Sequence, residues 1–404
     1  MKHLNKLFLL LVIFTMLFSC SSDDDNLQVE ADCITCENLQ TEYCFVEGDT
    51  FYRLITNNQS TEIDLNDQTW EEIKVTLETE CLSSLGNYAL GYFITNEGNF
   101  GSGIGTLSFV GNDGVVIHNV YQTVNGEPMG NLLQSMYFYE DNAYLVLNGS
   151  HKVIVTNRYT MEKIATIEGE NINNPRYFVA IGDKGYVSNW NDPFVTSDDF
   201  IAVIDLNTNT VESTISVDEG PEDLLINDAK LYVNLQGGYG QNNKVLIIDT
   251  DNDSVITEIP VGDVPNSIKV DKNDDIWIVC GGKPSFTGNE SSGSLVKISD
   301  DSVVLNIDFE LTEHPEHLSI NSTNDVLYYA LNGKIYNMNI ESTTSTEISG
   351  YDGFYYGMSI NNDKLYTLNA GDFNSEGELK IFDLNTNTSE IITTGIIPNS
   401  VVFQ

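Results

Sequence analysis

Basic residues are scarce. Lys and Arg together number 18 against 60 Asp and Glu, a formal net charge of −42 over 404 residues. Residues 1–19 contain two lysines and no acid, so without them 16 basic residues face 60 acidic ones, and the charge is −44. Binding a polyanion needs a basic stripe, and none exists here, which excludes nucleic acid as a partner. Anionic lipid surfaces are repelled for the same reason. Histidine is rare too, with five in the chain. No serine or cysteine nucleophile comes with a recognisable base, so the pattern points away from an enzyme. The apolar run Leu7–Phe18 is too short to cross a bilayer as a mature helix.

What that run does is carry the chain out of the cytoplasm. Lys2 and Lys6 precede it as a positive flank, so residues 1–19 are expected to be a signal peptide. Leu17-Phe18-Ser19-Cys20 resembles the bacterial lipobox, which implies cleavage before Cys20 and a covalent lipid on it. Residues 20–30 form an acidic tether. Its start, Ser21-Ser22-Asp23-Asp24-Asp25, resembles the export signal of outer-membrane surface lipoproteins in Bacteroidetes-type bacteria. As composition alone it equally suits a solvated spacer. The expected location is the outer membrane, lipid-anchored and facing outward, with no other membrane contact.

Residues 31–85 read as a small cysteine-rich segment. Cys33, Cys36, Cys44 and Cys81 allow three pairings, and an exported chain favours disulfides. Glu37 stands where a haem-attachment motif would need His, and no second close cysteine pair completes a zinc site. Thr69-Trp70-Glu71-Glu72 fits a capping box opening a helix whose Trp70, Ile73 and Leu77 share one face.

From residue 88 to 404 the chain becomes a series of short strand-like runs separated by Asn, Asp and Gly turns. The runs repeat. NPRYFVAIGDKGYVSN, GPEDLLINDAKLYVNL, VPNSIKVDKNDDIWIV, HPEHLSINSTNDVLYYA and GFYYGMSINNDKLYTL share one pattern, followed by third runs such as KVLIIDTDNDS and fourth runs such as VITEIPV. Four strands per unit at periods near 40–50 residues is the signature of a β-propeller. Tyr144, Tyr186, Tyr232, Trp277, Tyr328 and Tyr366 mark six units. A seventh first strand, IPNSVVF, has its partners at the start of the domain, in YALGYFITN, GTLSFV and VVIHNVYQTV. The expectation is an all-β, seven-bladed propeller closed by its C-terminal strand. These repeats resemble the YncE-like or YVTN seven-bladed propellers. With the lipobox and tether, the chain resembles the DUF5074-type surface lipoproteins of Bacteroidetes. One branch of that group, the BtuG-like proteins, captures cobalamin above a TonB-dependent transporter, so the resemblance implies a transporter as partner and a corrinoid as ligand rather than as cofactor.

The turns joining first to second strands (Asn227-Asp228, Asn273-Asp274, Asn362-Asp363) and third to fourth strands (207–209, 251–253, 385–387) are short and polar. They belong to one face. The opposite face carries longer loops with rings among glycines: Phe100, Trp190, Phe194, Tyr239, Phe286 and Phe373. Such rings either form a stacking platform or pack their own loops. Counting back from each marker aromatic reaches the positions entering the innermost strands: Gln134 and Ser135, Arg176 and Tyr177, Glu222 and Asp223, Asn266 and Ser267, Glu316 and His317, Tyr356 and Gly357, Asn399 and Ser400. That ring suits a polar, neutral ligand or is simple turn chemistry, and both readings stand. Asp249-Thr250-Asp251-Asn252-Asp253 imitates a calcium loop, but Ser254 replaces the turn glycine and Pro260 stands where the bidentate acid belongs. Glu313-His314-Pro315-Glu316-His317 is the one place where two histidines and two acids cluster, and a solvated loop is the expectation there. Cys280 reads as a buried thiol. No metal and no cofactor are expected. The function these features suggest is capture of a small ligand on the loop-rich face and its delivery to a transporter. The alternatives are an adhesin or protein-docking platform and, third, a propeller lyase or lactonase.

Overall fold

The computed structural model describes residues 31–404 apart from 102 and 352, so Cys20 and residues 1–30 lie outside the described residues. The chain divides into a unit ending at Gly91 and a unit covering Tyr92–Gln404. Together they carry eight four-stranded antiparallel sheets, one in the first unit and seven in the second, an all-β architecture consistent with a propeller.

In the first unit, strands Ala31–Cys36, Thr41–Val46, Phe51–Thr56 and Gln59–Asp64 pair in chain order, followed by the helix Trp70–Ser83. The helix begins where the sequence says it should. Thr69 accepts from the Glu72 amide while the Glu72 side chain accepts from the Thr69 amide, a complete capping box. Trp70, Ile73 and Leu77 are buried against Ile34, Tyr43 and Tyr52. Of the three possible cysteine pairings the fold selects Cys33–Cys44 and Cys36–Cys81. Register decides the first, because Cys33 and Cys44 are directly opposed across two strands.

Each sheet of the second unit has an inner strand that neighbours the inner strand of the next: Leu133–Tyr139, Pro175–Ile181, Pro221–Asn227, Pro265–Val270, Glu316–Ile320, Gly357–Asn361 and Pro398–Phe403, the last adjoining the first again. The apolar cores lie between sheets. Tyr144, Val146 and Val153 of one sheet interlock with Phe178, Val187 and Ala202 of the next, and the same packing recurs round the unit. Second strands such as Lys230–Leu235 are therefore buried on both faces, whereas outer strands such as Thr210–Ser216 are mostly exposed. The six marker aromatics are all buried, at 7% exposure or less, and Phe93 at 0% is their counterpart in the seventh sheet.

That seventh sheet joins the two ends of the unit. Pro398–Phe403 pairs with Gly91–Asn96, which continues to Thr106–Gly111 and Val116–Ile117. The run VVIHNVYQTV, expected as a full strand, forms only two strand residues before the short helix Val120–Asn125, whose Val120 and Tyr121 are buried. Packing of those two side chains outweighs their β-branched and aromatic preference.

The short-turn face is closed by its own chemistry. Asp228, Asp274, Asn362, Asn209, Asp253 and Asn387 all take positive φ, which Asn and Asp tolerate best among non-glycine residues. Asp253 accepts from Lys184 Nζ and Tyr186 Oη, both at 2.7 Å, and Asp301 repeats the clamp with Lys230 at 2.6 Å and Tyr232 at 3.3 Å. The calcium-loop look-alike is thus a turn whose last acid ties one sheet to the next.

Candidate functional site

The inner strands start on the loop-rich face, and six of the seven open with a break in register. The breaks fall between Leu133 and Ser135, Pro175 and Phe178, Pro221 and Leu224, Pro265 and Ser267, Glu316 and Ser319, and Pro398 and Ser400. A bulge re-aims side chains, and those it re-aims include Gln134, Arg176, Tyr177, Glu222, Asp223, Asn266, His317 and Asn399. Leu132, Asn174, Gly220, Val264 and Ile397, one residue ahead of five of these strands, hold φ of 54–74°. Glycine is required at position 220, where a Cβ would sit 2.0 Å from the Gly238 nitrogen. The β-branched Val264 and Ile397 are strained there.

The bulged residues close a polar circuit. Arg176 grips Glu222 through two bonds of 2.9 and 2.7 Å and donates to Gln134 Oε1 at 2.7 Å. Asp223 accepts from the Ile268 amide, Asn266 donates to the Pro315 carbonyl, and Ser267 accepts from the Leu318 amide. His317, itself at φ 59°, reaches the Tyr355 carbonyl at 3.1 Å. Tyr356 donates to Glu97 Oε2 at 3.1 Å. Asn399 donates to Glu97 Oε1 at 3.2 Å and to the carbonyls of Leu133 and Gln134. Gly357 has no room for a side chain, since a Cβ would meet the Asn399 carbonyl oxygen at 2.2 Å. Every sheet is thereby bonded to the next, and most of the polar capacity of this ring is used internally. Tyr177 is half-buried in it, and desolvation first, then the carboxylates of Glu222 and Asp223, push its phenol upward.

The rings divide into three groups. Phe194 and Tyr239 lie 5.5 Å apart in a tilted pair and stand 83% and 61% exposed. Trp190, expected beside them as an open ring, is only 9% exposed. Its indole donates to the Pro221 carbonyl at 3.0 Å and the Arg176 guanidinium lies 4.1 Å over its face, so it is the floor under that pair. Phe373 meets Tyr356 at 5.5 Å and Phe354 at 6.1 Å. Asn99 ties the Phe100 loop to the Phe373 carbonyl at 2.7 Å, and Phe100 is 83% exposed. Phe286, 85% exposed, rides on the short helical turn Ser285–Thr287.

Sequence reading missed Glu97 and Phe354. Glu97 follows the second strand of the sheet whose first strand comes from the other end of the chain, so no repeat alignment reached it. Phe354 stands inside the repeat GFYYGMSI, although the strand begins only at Gly357. Counting three to four residues past Phe93, the seventh marker, would have found Glu97.

The histidine–acid cluster does not converge. His314 bonds the Gly281 carbonyl at 2.7 Å, His317 turns to Tyr355, and Glu316 is exposed. Among the described residues the one group of three or more ligand-type side chains with close atoms is Cys33, Glu42 and Cys44, two of which form a disulfide. Cys280 is fully buried, and burial pushes its thiol up to about 12. A cavity of about 240 Å³ lined by Ser216, Val217, Asp218 and Glu258 sits beside strands remote from the axis and includes none of the ring residues.

Asp199, just beyond the Phe194 loop, is 3% exposed and accepts the Gly220 amide at 2.6 Å. Burial pushes its carboxyl up to about 7 against that bond, and Asp198 and Glu219 add to the rise. The folded chain therefore keeps a proton that the unfolded chain releases between about pH 4 and 7, and stability falls as pH rises through that window. Asp199→Asn, which preserves the acceptor, is expected to match the parent near pH 4. At pH 8 it should exceed the parent by about 2–4 kcal/mol in urea unfolding. A parallel loss at both pH values would contradict this.

No curated protein matches the sequence. Among solved structures, two candidate 6-phosphogluconolactonases are similar in fold. The one from Bacteroides uniformis has a TM-score of 0.56 at 12% identity, covering 78% of this chain and 99% of that one. The one from Bacteroides fragilis has 0.56 at 11%, covering 79% and 99%. A functionally unknown protein from Desulfotomaculum acetoxidans matches at 0.55 and 12%, covering 78% and 98%. At such identities the likeness is one of fold alone. The family model of DUF5074, a domain of unknown function, matches residues 90–392, three quarters of the sequence, and the chain belongs to that family.

Proposed function

We propose that this protein is a non-catalytic ligand-capture lipoprotein, held at the outer membrane by a lipid on Cys20. It takes up a small ligand on the loop-rich end of a seven-bladed ring, one blade per sheet, and passes it to a TonB-dependent transporter. One observation carries the reading. The exposed rings gather in clusters that rest on the axial circuit, Phe194 and Tyr239 through Trp190 and Arg176, Phe354 and Phe373 through Tyr356. Solvent-open rings fixed to a rigid polar base are an apolar platform with few reorganisation costs. Among the described residues the exposed aromatic rings all lie in the loops of this end, and the short-turn face carries tight turns and clamps such as those of Asp253 and Asp301. A binding rather than catalytic role is supported by the engagement of the axial groups with one another and by the burial of Cys280. Family resemblance makes a corrinoid the first compound to try, since its amide fringe matches a hydrogen-bonding rim and its flat body matches the rings.

The test is a thermal-shift screen of corrinoids and sugars, followed by calorimetric titration of the hit. Phe194→Ala, Tyr239→Ala and Phe286→Ala should each weaken binding by more than about 1 kcal/mol. Asn209→Gly and Asn387→Gly, which keep the positive φ of the short-turn face, should leave it unchanged. Loss of binding in the turn variants with the ring variants intact would place the site on the wrong face.

A further inference from the structure

Two acids face the axial circuit from sheets separated by those of Gln134 and Arg176, and they are treated differently. Glu222 is 5% exposed with both oxygens held by Arg176, so its charge is matched. Glu97 receives only neutral donors, the Tyr356 hydroxyl and the Asn399 amide, and makes no ion pair with any described residue. A carboxylate has about four acceptor sites, and two of those on Glu97 are taken. A mostly buried carboxylate with no cation in contact is costly to keep charged, and a ligand donor would lower that cost. The residue that donates to it, Tyr356, is part of the ring cluster with Phe354 and Phe373, which are 56% and 41% exposed. The carboxylate thus lies directly behind an apolar surface open to solvent.

We infer that Glu97 is the specificity residue of the capture site, receiving an ammonium or amide N–H from a ligand whose flat apolar part lies on Phe354 and Phe373. The inference rests on the capture reading above and narrows its ligand class to compounds that are donor-rich and not anionic at this end. Burial pushes the Glu97 carboxyl upward, and the hydrogen bonds from Tyr356 and Asn399 and the charge of Arg176, which makes no contact with it, offset that rise only in part. An incoming anion meets Glu97 and finds Arg176, the nearest cation of the circuit, already committed to Glu222 and Gln134. A phosphorylated sugar acid is the kind of compound this end turns away.

The experiment uses the full chain and three probes that share a benzyl group: L-phenylalaninamide, phenylacetamide and phenylacetate, titrated by ligand-observed NMR at pH 7. Phenylalaninamide should bind at least about tenfold more tightly than phenylacetate, with phenylacetamide between them. In Glu97→Gln that ratio should fall to about twofold or less, while the melting temperature stays at or above that of the parent, since glutamine keeps an acceptor and removes the unmatched charge. A lowered melt with an unchanged ratio would make Glu97 a structural residue and overturn the inference. If all three probes bind equally and Phe373→Ala abolishes them, capture on this face stands and the Glu97 assignment falls. If no probe binds and the ring variants leave the screened ligand untouched, both fall together.

Discussion

Deleting Ile397–Gln404 should leave the second unit without a cooperative, monomeric folded state. Eight residues carry an unusual share of the structure. Their strand completes the sheet containing Gly91–Asn96, buries Val401, and sets Phe403 against Tyr92 at 5.6 Å and Tyr366 at 4.9 Å. Asn399 bonds Glu97 and two carbonyls of the next sheet, and Gln404 exchanges two 2.9 Å bonds with Arg158. Their loss bares the Gly91–Asn96 edge and removes one member from the ring of inner strands. The combined effect is comparable with the whole stability of a domain, about 5–15 kcal/mol. Size-exclusion chromatography with a far-ultraviolet thermal melt checks it. A monomeric truncation with a sharp melt would show that the ring does not depend on that strand.

Arg176→Met is expected to be the most damaging single substitution outside the apolar cores. It leaves Glu222 charged and buried without a partner, strips Gln134 of its donor and removes the cation over Trp190. Breaking one side of a buried pair costs about 3–5 kcal/mol, whereas replacing both sides with apolar groups is often neutral. Urea unfolding should therefore show a large fall for Arg176→Met and recovery of most of it in Arg176→Met/Glu222→Leu. Additive losses in the double variant would mean that the pair is not coupled.

Local chemistry was readable without coordinates wherever it acts over a few residues. The capping box at Thr69, the Asn and Asp turns, the marker aromatics and the C-terminal strand in search of partners are all patterns of near neighbours in sequence. Their physical causes are backbone conformational preference and alternation of burial, which the residue types themselves carry. The axial positions were also found by counting, because a repeat puts equivalent residues at equivalent places. Their roles were not. Whether Arg176 offers its guanidinium to a ligand or spends it on Glu222 and Gln134 depends on side chains 46 and 42 residues away. Trp190 looked like the other loop rings until Pro221, from the next sheet, and Arg176 closed over it. Glu97 was invisible because its sheet is assembled from both ends of the unit, so the repeat that named the other positions is broken there. The pairing of four cysteines was open until strand register opposed Cys33 to Cys44. Sequence by itself determined the turns, the repeat and most strands of the second unit, since these follow from short-range sterics and burial period, whereas VVIHNVYQTV turned helical where packing buried Val120 and Tyr121. Only the tertiary structure decided which polar groups are satisfied and which remain available, because hydrogen-bond and charge partners are chosen by distance in space, and the ring brings together residues as far apart as Glu97 and Asn399.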